Sequence, residues 1–541
     1  MNNAIFSFNK PENEPVLKYL EGSEERILLD KELERQTNTE IEIPLIIDGK
    51  EIYTGKTGKV VMPHNHGHVL ATYHMATEKE VNMAIEAALK AKPMWENISW
   101  LERSSIMLKI AKLLSDKYRP VINAATMLGQ SKTIYQAEID AACETIDFLR
   151  FNVFFASQIY SHQPSSSPDQ FNRLEYRALE GFVFAVSPFN FTSIASNLNM
   201  SPAMMGNTTV WKPATTSLLS NYYLMKIYKE AGVPDGVVNF VPGSGSLIGN
   251  TVLAHKDLAG IHFTGSNNTF NTLWKGVADN LTNYKSYPKL VGETGGKDFI
   301  FVHNSAVPRE VATAIIAGAF EYQGQKCSAA SRGYIPKSLW PEIKKEILEL
   351  HSEIKTGDPA DASNFFNAVI NESSYGNIMK YVKAAEESKD SEIIAGGKGN
   401  KSKGYFIEPT IIVTKDPNFI TMQEEIFGPV ITLYIYEDDK WIETLELCDK
   451  TSPYGLTGAV FSNDKYAMVQ ACRILRYAAG NFYINDKPTG AMVGLQPFGV
   501  ARGSGTNDKA GGQINLLRWT SPRTVKESFM PPTDFKYDYM K

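Results

Sequence analysis

Cys327 stands in Gly324-Gln325-Lys326-Cys327-Ser328-Ala329, and 34 residues upstream Glu293 stands in Val291-Gly292-Glu293-Thr294-Gly295-Gly296-Lys297. A thiolate is a soft nucleophile that adds to a carbonyl carbon. A carboxylate can activate the water that later clears the acyl adduct. The other three cysteines, Cys143, Cys448 and Cys472, fall in segments that read as helix, where cysteine usually acts as a small buried apolar residue. Cys327 alone lies beside a glycine and a lysine in a segment poor in packing residues, a setting that suits a reactive thiolate better than a core thiol. Taken singly, each residue has a plainer reading, Cys327 as a buried spectator and Glu293 as a surface-loop carboxylate.

A chain of 541 residues is too long for one core and predicts two or three domains. Its apolar fraction of 43% and charged fraction of 21% are those of an ordinary globular protein. A net charge of −5 without a basic block gives nucleic-acid or acidic-membrane binding no electrostatic support. Four cysteines without close pairs argue against a disulfide framework and a structural zinc site, and fit a reducing compartment. No metal site is expected. The first twenty residues hold neither an apolar signal core nor an arginine-rich leader, and no run of about 18 apolar residues occurs. The expected location is therefore cytoplasmic, in a bacterial cytosol or, for a processed chain, a mitochondrial matrix.

Regular elements must hold the two reactive residues in place. Residues 1–45 read as an extension wrapping the body with short helices. Thr77-Glu78-Lys79-Glu80 is a capping box opening a helix. Further helices are expected from about Leu101 to Lys117 and from about Ile134 to Ile159. Ser161 to Ala178 reads as a polar hairpin. From Leu179 onward, strands near 181–186, 208–211, 237–241 and 260–263 alternate with helices, which implies a parallel sheet covered on both faces. The carboxyl ends of these strands, where such sheets bind ligands, are Ser187-Pro188-Phe189-Asn190, Lys212-Pro213 and Thr264-Gly265-Ser266. A second α/β region runs from about Glu293 to Gly499, and the tail from Gly503 reads as strand and extended chain. Gly243-Ser244-Gly245-Ser246-Leu247-Ile248-Gly249 imitates a dinucleotide fingerprint but carries one residue too many before its last glycine.

Six ordered segments now acquire a joint meaning: Ser187-Pro188-Phe189-Asn190-Phe191, Trp211-Lys212-Pro213-Ala214, Phe263-Thr264-Gly265-Ser266, Gly292 to Lys297, Gly324 to Cys327, and Glu424-Glu425-Ile426-Phe427-Gly428-Pro429-Val430. Together they resemble the aldehyde dehydrogenase superfamily over nearly the whole chain. Gln136 to Ala142, Gly480 to Lys487, Gln496 to Gly499 and Gly503 to Lys509 look closer still to the branch that oxidises L-glutamate γ-semialdehyde to L-glutamate in proline breakdown.

The resemblance implies an α/β fold of two Rossmann-like parallel-sheet domains plus a small β oligomerisation element. Residues 46–160 and 179–292 would bind NAD, 293–502 would be catalytic, and 161–178 with 503–541 would pair across a homodimer or higher oligomer. No second enzyme domain is expected ahead of Leu179. Cys327 would be the nucleophile, Glu293 the base and Asn190 the oxyanion donor, although asparagine at a strand-to-helix junction also suits an N-cap. Ser187, Lys212, Gly265, Ser266, Asn267, Asn268, Thr269, Glu425 and Phe427 would hold NAD. Phe191, Ser328, Gly490, Ala491 and Phe498 would hold the substrate. Three positions depart from the common pattern. Thr215 replaces a glutamate that repels a 2′-phosphate, so NADP stands beside NAD. Ala491 replaces a serine, and Val500 replaces a glycine. The alternatives are an enzyme for another semialdehyde, or a non-catalytic protein on the same fold.

Overall fold

The apolar runs pair as parallel strands in this computed structural model, which describes residues 6–541; the first five positions of the expected extension lie outside the described residues. Strand Leu258–Thr264 is buried at every position, as a strand covered on both faces must be. It belongs to a seven-stranded sheet ordered Lys289–Glu293, Leu258–Thr264, Phe182–Val186, Thr209–Lys212, Val238–Phe240, Leu45–Ile47, Lys50–Ile52. The chain runs outward from Phe182–Val186 to Val238–Phe240, then returns to the other side of Phe182–Val186 for Leu258–Thr264. That reversal opens a crevice at the carboxyl ends of these two neighbours. The antiparallel edge Leu45–Ile47 and Lys50–Ile52, and the strand Lys289–Glu293, were not anticipated.

The second sheet, also seven-stranded, is ordered Ser391–Ala395, Thr410–Thr414, Val430–Tyr436, Ala330–Pro336, Asp298–Val302, Thr457–Phe461, Asn481–Ile484, with only its Ser391–Ala395 edge antiparallel. Glu293 therefore closes the last strand of the first sheet rather than opening the second, whose first strand starts at Asp298. Cys327 precedes Ala330–Pro336, at the amino edge of the second sheet. The two reactive residues meet where the carboxyl edge of one sheet faces the amino edge of the other.

Among the helices, Glu78–Asn97 opens on the expected capping box, and Trp100–Ser115 lies where the periodicity places it. Helix Arg119–Gln130 was missed, although Pro120 in its first turn is a start signal. The expected helix from 134 to 159 is interrupted by a π-helical turn, Glu138–Glu144, between Ile134–Ala137 and Thr145–Ser161. The wider turn lets Glu138 and Asp140 both point into buried polar partners.

Two expectations need correction. The 161–178 segment is not a hairpin: Gln170–Ala178 pairs antiparallel with Thr520–Ser528 over nine residue pairs of the same chain, so the tail strand finds its partner within its own chain. A pairing across some 350 residues leaves no local trace. The tail also holds a helix, Gln513–Arg518, which buries Leu516 and delivers the fully buried Trp519.

Among the described residues the N-terminal extension contains one helix, Glu24–Thr37, preceded by an extended strap over the π turn. The Leu17 N–H donates to Glu138 at 2.9 Å, the Tyr19 hydroxyl donates to it at 2.8 Å, and Arg119 joins Glu138 to Glu14. Arg119→Met leaves the fully buried Glu138 without its cation, while Glu14 keeps Arg150, and is expected to cost about 3–5 kcal/mol. Urea unfolding checks this; a loss below about 1 kcal/mol would contradict the reading.

Candidate active site

Helix Pro308–Phe320 ends in three successive left-handed residues, Tyr322 (φ 51°), Gln323 (φ 55°) and Gly324 (φ 66°). The first two carry side chains, and each such conformation costs about 1–3 kcal/mol. Buried hydrogen bonds offset it: Gln323 Nε2 donates to Ser131 O at 3.0 Å and Ala368 O at 2.8 Å, and the Ile370 N–H donates to Gln325 Oε1 at 2.8 Å. Gly324 is required, since a Cβ there would lie 2.2 Å from Gly428 O. The reversal delivers Cys327.

Asn190 donates from Nδ2 to Gln325 O at 3.0 Å, which seats its amide beside the nucleophile's own loop and leaves the second N–H free for an oxyanion. The N-cap reading of Asn190 does not hold. Phe191 occupies that position before helix Thr192–Met204, and Asp140 supplies the cap, accepting from Thr192 N at 3.0 Å and Ser193 N at 2.9 Å.

The electrostatics differ from the expected thiolate setting. Burial pushes the Cys327 thiol well up, the carboxylates of Glu293, Asp298 and Glu425 push it further, and only the Ser328 N–H pulls it down. Burial, then Asp508, pushes Glu293 up to about 8 against the pull of Lys509. Cys327 is therefore held as a neutral thiol beside a carboxyl raised to about 8.

A cavity of about 290 Å³ joins Cys327 and Glu293 to the expected substrate residues Phe191, Ser328, Gly490, Ala491 and Phe498. Gly490 turns with φ +97°, a conformation that suits glycine, and exposes its backbone to the cavity. Ser328 Oγ lies 2.7 Å from Thr489 Oγ1. Val500 is fully buried and packs against the Gly505 turn, outside the cavity. Sequence reasoning missed several charged residues of the wall. Burial and then Asp140 push Glu144 up to about 8, and burial pushes Asp147 up to about 6. Burial would raise Glu321, but Lys326 at 2.9 Å and Lys487 at 2.7 Å outweigh it and hold it low. Glu144 falls in the Gln136–Ala142 neighbourhood singled out above, which was the available signal.

The expected cofactor residues gather at the crevice of the first sheet. Lys212 ends its strand opposite Val186, and the Ser187 N–H donates to Lys212 O at 3.2 Å. Burial alone lowers the Lys212 amine, with no carboxylate opposing it. Ser266 caps helix Asn267–Asp279 by accepting from the Thr269 N–H, and the first turn carries no acidic residue and leaves the N–H groups of Asn267 and Asn268 for an anion. Asn267 Nδ2 donates to Gly503 O at 2.6 Å. The Gly265 N–H donates to Glu293 O at 3.2 Å, tying crevice to base. Glu425 accepts from Gly296 N at 3.0 Å, and Phe427, at φ 56°, meets Phe189 edge to face at 5.8 Å. A partnerless ammonium, an uncharged helix start and a half-buried carboxylate fit the ribose and pyrophosphate of a dinucleotide. Thr215 brings no negative charge to that edge.

The Aldehyde dehydrogenase family profile matches residues 52–525. A mitochondrial delta-1-pyrroline-5-carboxylate dehydrogenase of Dictyostelium discoideum is 52% identical over 533 residues, covering 98% of this chain and 96% of that protein. The protein of that name from Homo sapiens is 51% identical, covering 98% and 95%. The crystal structure of the delta-pyrroline-5-carboxylate dehydrogenase from Mycobacterium tuberculosis bound with NAD superposes with a TM-score of 0.96 at 47% identity, over 100% of both chains.

A base pushed up to about 8 works only when deprotonated, so turnover through Glu293 rises with pH, falling about tenfold per unit below that midpoint. Asp508→Asn removes a negative neighbour, lowers the Glu293 value and moves the rising limb to lower pH. A kcat-against-pH profile checks this, and a limb that stays put or moves up would contradict it.

Proposed function

The chain belongs to the aldehyde dehydrogenase family, and on that premise we propose that it oxidises L-glutamate γ-semialdehyde, the hydrolysed, ring-opened form of 1-pyrroline-5-carboxylate, to L-glutamate with NAD, a step of proline degradation. The observation that carries this reading is one cavity holding a thiol, a base and two kinds of polar wall. Ser328 with the Gly490–Ala491 backbone offers donors to the α-carboxylate. Glu144 and Asp147 offer carboxyls to the α-ammonium, whose charge draws Glu144 toward ionisation. Phe191 and Phe498 flank the methylenes between.

The Cys327 thiol gives up its proton to solvent in the cavity and its sulfur adds to the aldehyde carbon, which leaves Glu293 unprotonated for the later step. The oxygen becomes an oxyanion within reach of the free Asn190 N–H and the Cys327 backbone N–H, donors of the kind worth about 10²–10³ in rate each. Bound NAD supplies the acceptor for the hydride that leaves this adduct, and Ser187, Lys212, the Gly265–Thr269 turn, Glu425 and Phe427 would hold it. What remains on Cys327 is a thioester. Glu293 takes a proton from water, the hydroxide attacks the acyl carbon, the C–S bond breaks, and glutamate leaves with Cys327 restored. One water is consumed, and two electrons leave as the hydride.

Thr215, a neutral residue, supports use of NADP beside NAD. Ala491 offers a backbone N–H but no hydroxyl, which supports a weaker hold on the α-carboxylate. We also propose a homodimer or higher homo-oligomer: the ribbon and tail expose Phe171 at 47%, Phe529 at 58% and Phe535 at 86%, a lot of apolar surface for a free edge. All four cysteines are free, which supports a reducing compartment such as the bacterial cytosol. No helix among the described residues is long and apolar enough to cross a membrane.

Cys327→Ala should lower semialdehyde oxidation by at least about 10³-fold, and retained turnover would sink the covalent route. Glu293→Gln should release a burst of about one NADH per site and then stall at the thioester, which stopped-flow absorbance reads. Wild-type kcat/KM for the semialdehyde should exceed that for succinate semialdehyde by at least about tenfold; the reverse order would favour another substrate.

A further inference from the structure

One ammonium, that of Lys132, ties together the two loops that must meet around the substrate, and nothing in the chemistry above uses it. Helix Arg119–Gln130 ends at Ser131, which turns left-handed at φ 55° and turns the following lysine into the protein interior. Lys132 is fully buried, with its Nζ 2.7 Å from Asp140 Oδ2. The same Nζ lies 4.2 Å from the centre of the Phe191 ring and 4.4 Å from that of Tyr322. Cation–ring contacts at these distances are attractive, and more so where water is excluded.

Each contact belongs to a different part of the site. Phe191 is a cavity wall and follows Asn190 directly. Tyr322 is the first left-handed residue of the turn that ends at Cys327. Asp140 caps the helix that starts just after Phe191. The residues beside Lys132 reach the same two loops: Gln130 Nε2 donates to Phe189 O at 2.6 Å, and Ser131 O accepts from Gln323 Nε2. The Tyr322 hydroxyl is buried without a hydrogen-bond partner, so its strained position rests on ring contacts such as this one.

A buried ion pair is a poor device for stability, since apolar replacements of both partners are often neutral or better. Its value lies in geometry. We propose that Lys132, held by Asp140, is a positioning residue that fixes the separation of Asn190 and Phe191 from Cys327; it touches no reacting atom. The proposal rests on the reaction assigned above and adds a residue through which the two loops are kept in register.

Two variants test it. Lys132→Met keeps an unbranched stem and removes the charge, but leaves Asp140 buried and unpaired. Lys132→Met with Asp140→Asn removes both charges and keeps an oxygen for the helix cap, so its unfolding midpoint should return toward wild type. In both, kcat should fall about ten- to a hundredfold, with a raised KM for the semialdehyde and an NAD dissociation constant within about twofold of wild type, because the cofactor crevice does not contact Lys132. If the double variant recovers kcat together with its unfolding midpoint, the pair is structural only and the proposal falls. It also falls if folded Lys132→Met keeps kcat/KM within about twofold of wild type. Wild-type turnover of the semialdehyde tests the underlying reaction separately. Should it fail, the same comparison is made with the aldehyde that the wild type does oxidise.

Discussion

The site exists only because two parallel sheets meet edge to edge in opposite senses. Glu293 is the last residue of one sheet and Asp298 the first of the next, so residues 294–297 are all that separate the two frames. A carboxyl edge gathers the groups proposed to hold the cofactor, and an amino edge presents Cys327, the proposed nucleophile. Such a junction must be stitched, because reacting atoms misplaced by about 1 Å can lose a hundredfold in rate. The stitches are visible: the Thr294 N–H donates to Ser504 O at 2.7 Å, the Thr506 N–H donates to Gly292 O at 2.9 Å, and Thr506 Oγ1 accepts from the Gly292 N–H at 2.9 Å.

The same junction sets the protonation state. Burial and the crowd of carboxylates favour neutral forms, so Cys327, Glu293, Glu425 and Glu144 all sit above their ordinary values. Lys297, buried beside Arg332, moves the other way, down to about 7. Glu293, Glu425, Glu144 and Lys297, poised this way, exchange protons near neutrality at small cost, which suits the activation of a water, whereas the thiol gives up its proton uphill.

Much of this was legible in the sequence because its signals are local. Apolar runs gave four of the seven strands of the first sheet, Thr77 and Glu80 gave a helix start, Gly232 gave a helix stop at φ 94°, and the ordered segments around Cys327 and Glu293 pointed to the cavity those two residues share. What escaped depends on partners far along the chain. Asp140 caps a helix that begins 52 residues later. The left-handed turn at Tyr322 and Gln323 has no propensity signature, since neither residue favours it. The π turn arises from where Glu138 and Asp140 find buried partners, and the Gln170–Ala178 ribbon from a strand near the other end of the chain. The thiol's raised value also lay out of reach, because it reflects carboxylates brought together only by folding.

Trp519 packs 4.6 Å from His262, and its carbonyl accepts from Asn207 Nδ2 at 2.9 Å, both inside the first half of the chain. Residues 503–506 grip the strand that carries the base. During synthesis, then, the amino-terminal half emerges with a gap in its interior that only the last stretch of polypeptide can fill. The strands of the first sheet lie early in the chain, but the Glu425 and Phe427 wall of the crevice and the grip on the strand of Glu293 need the later segments, Trp519 included, before the pocket is complete.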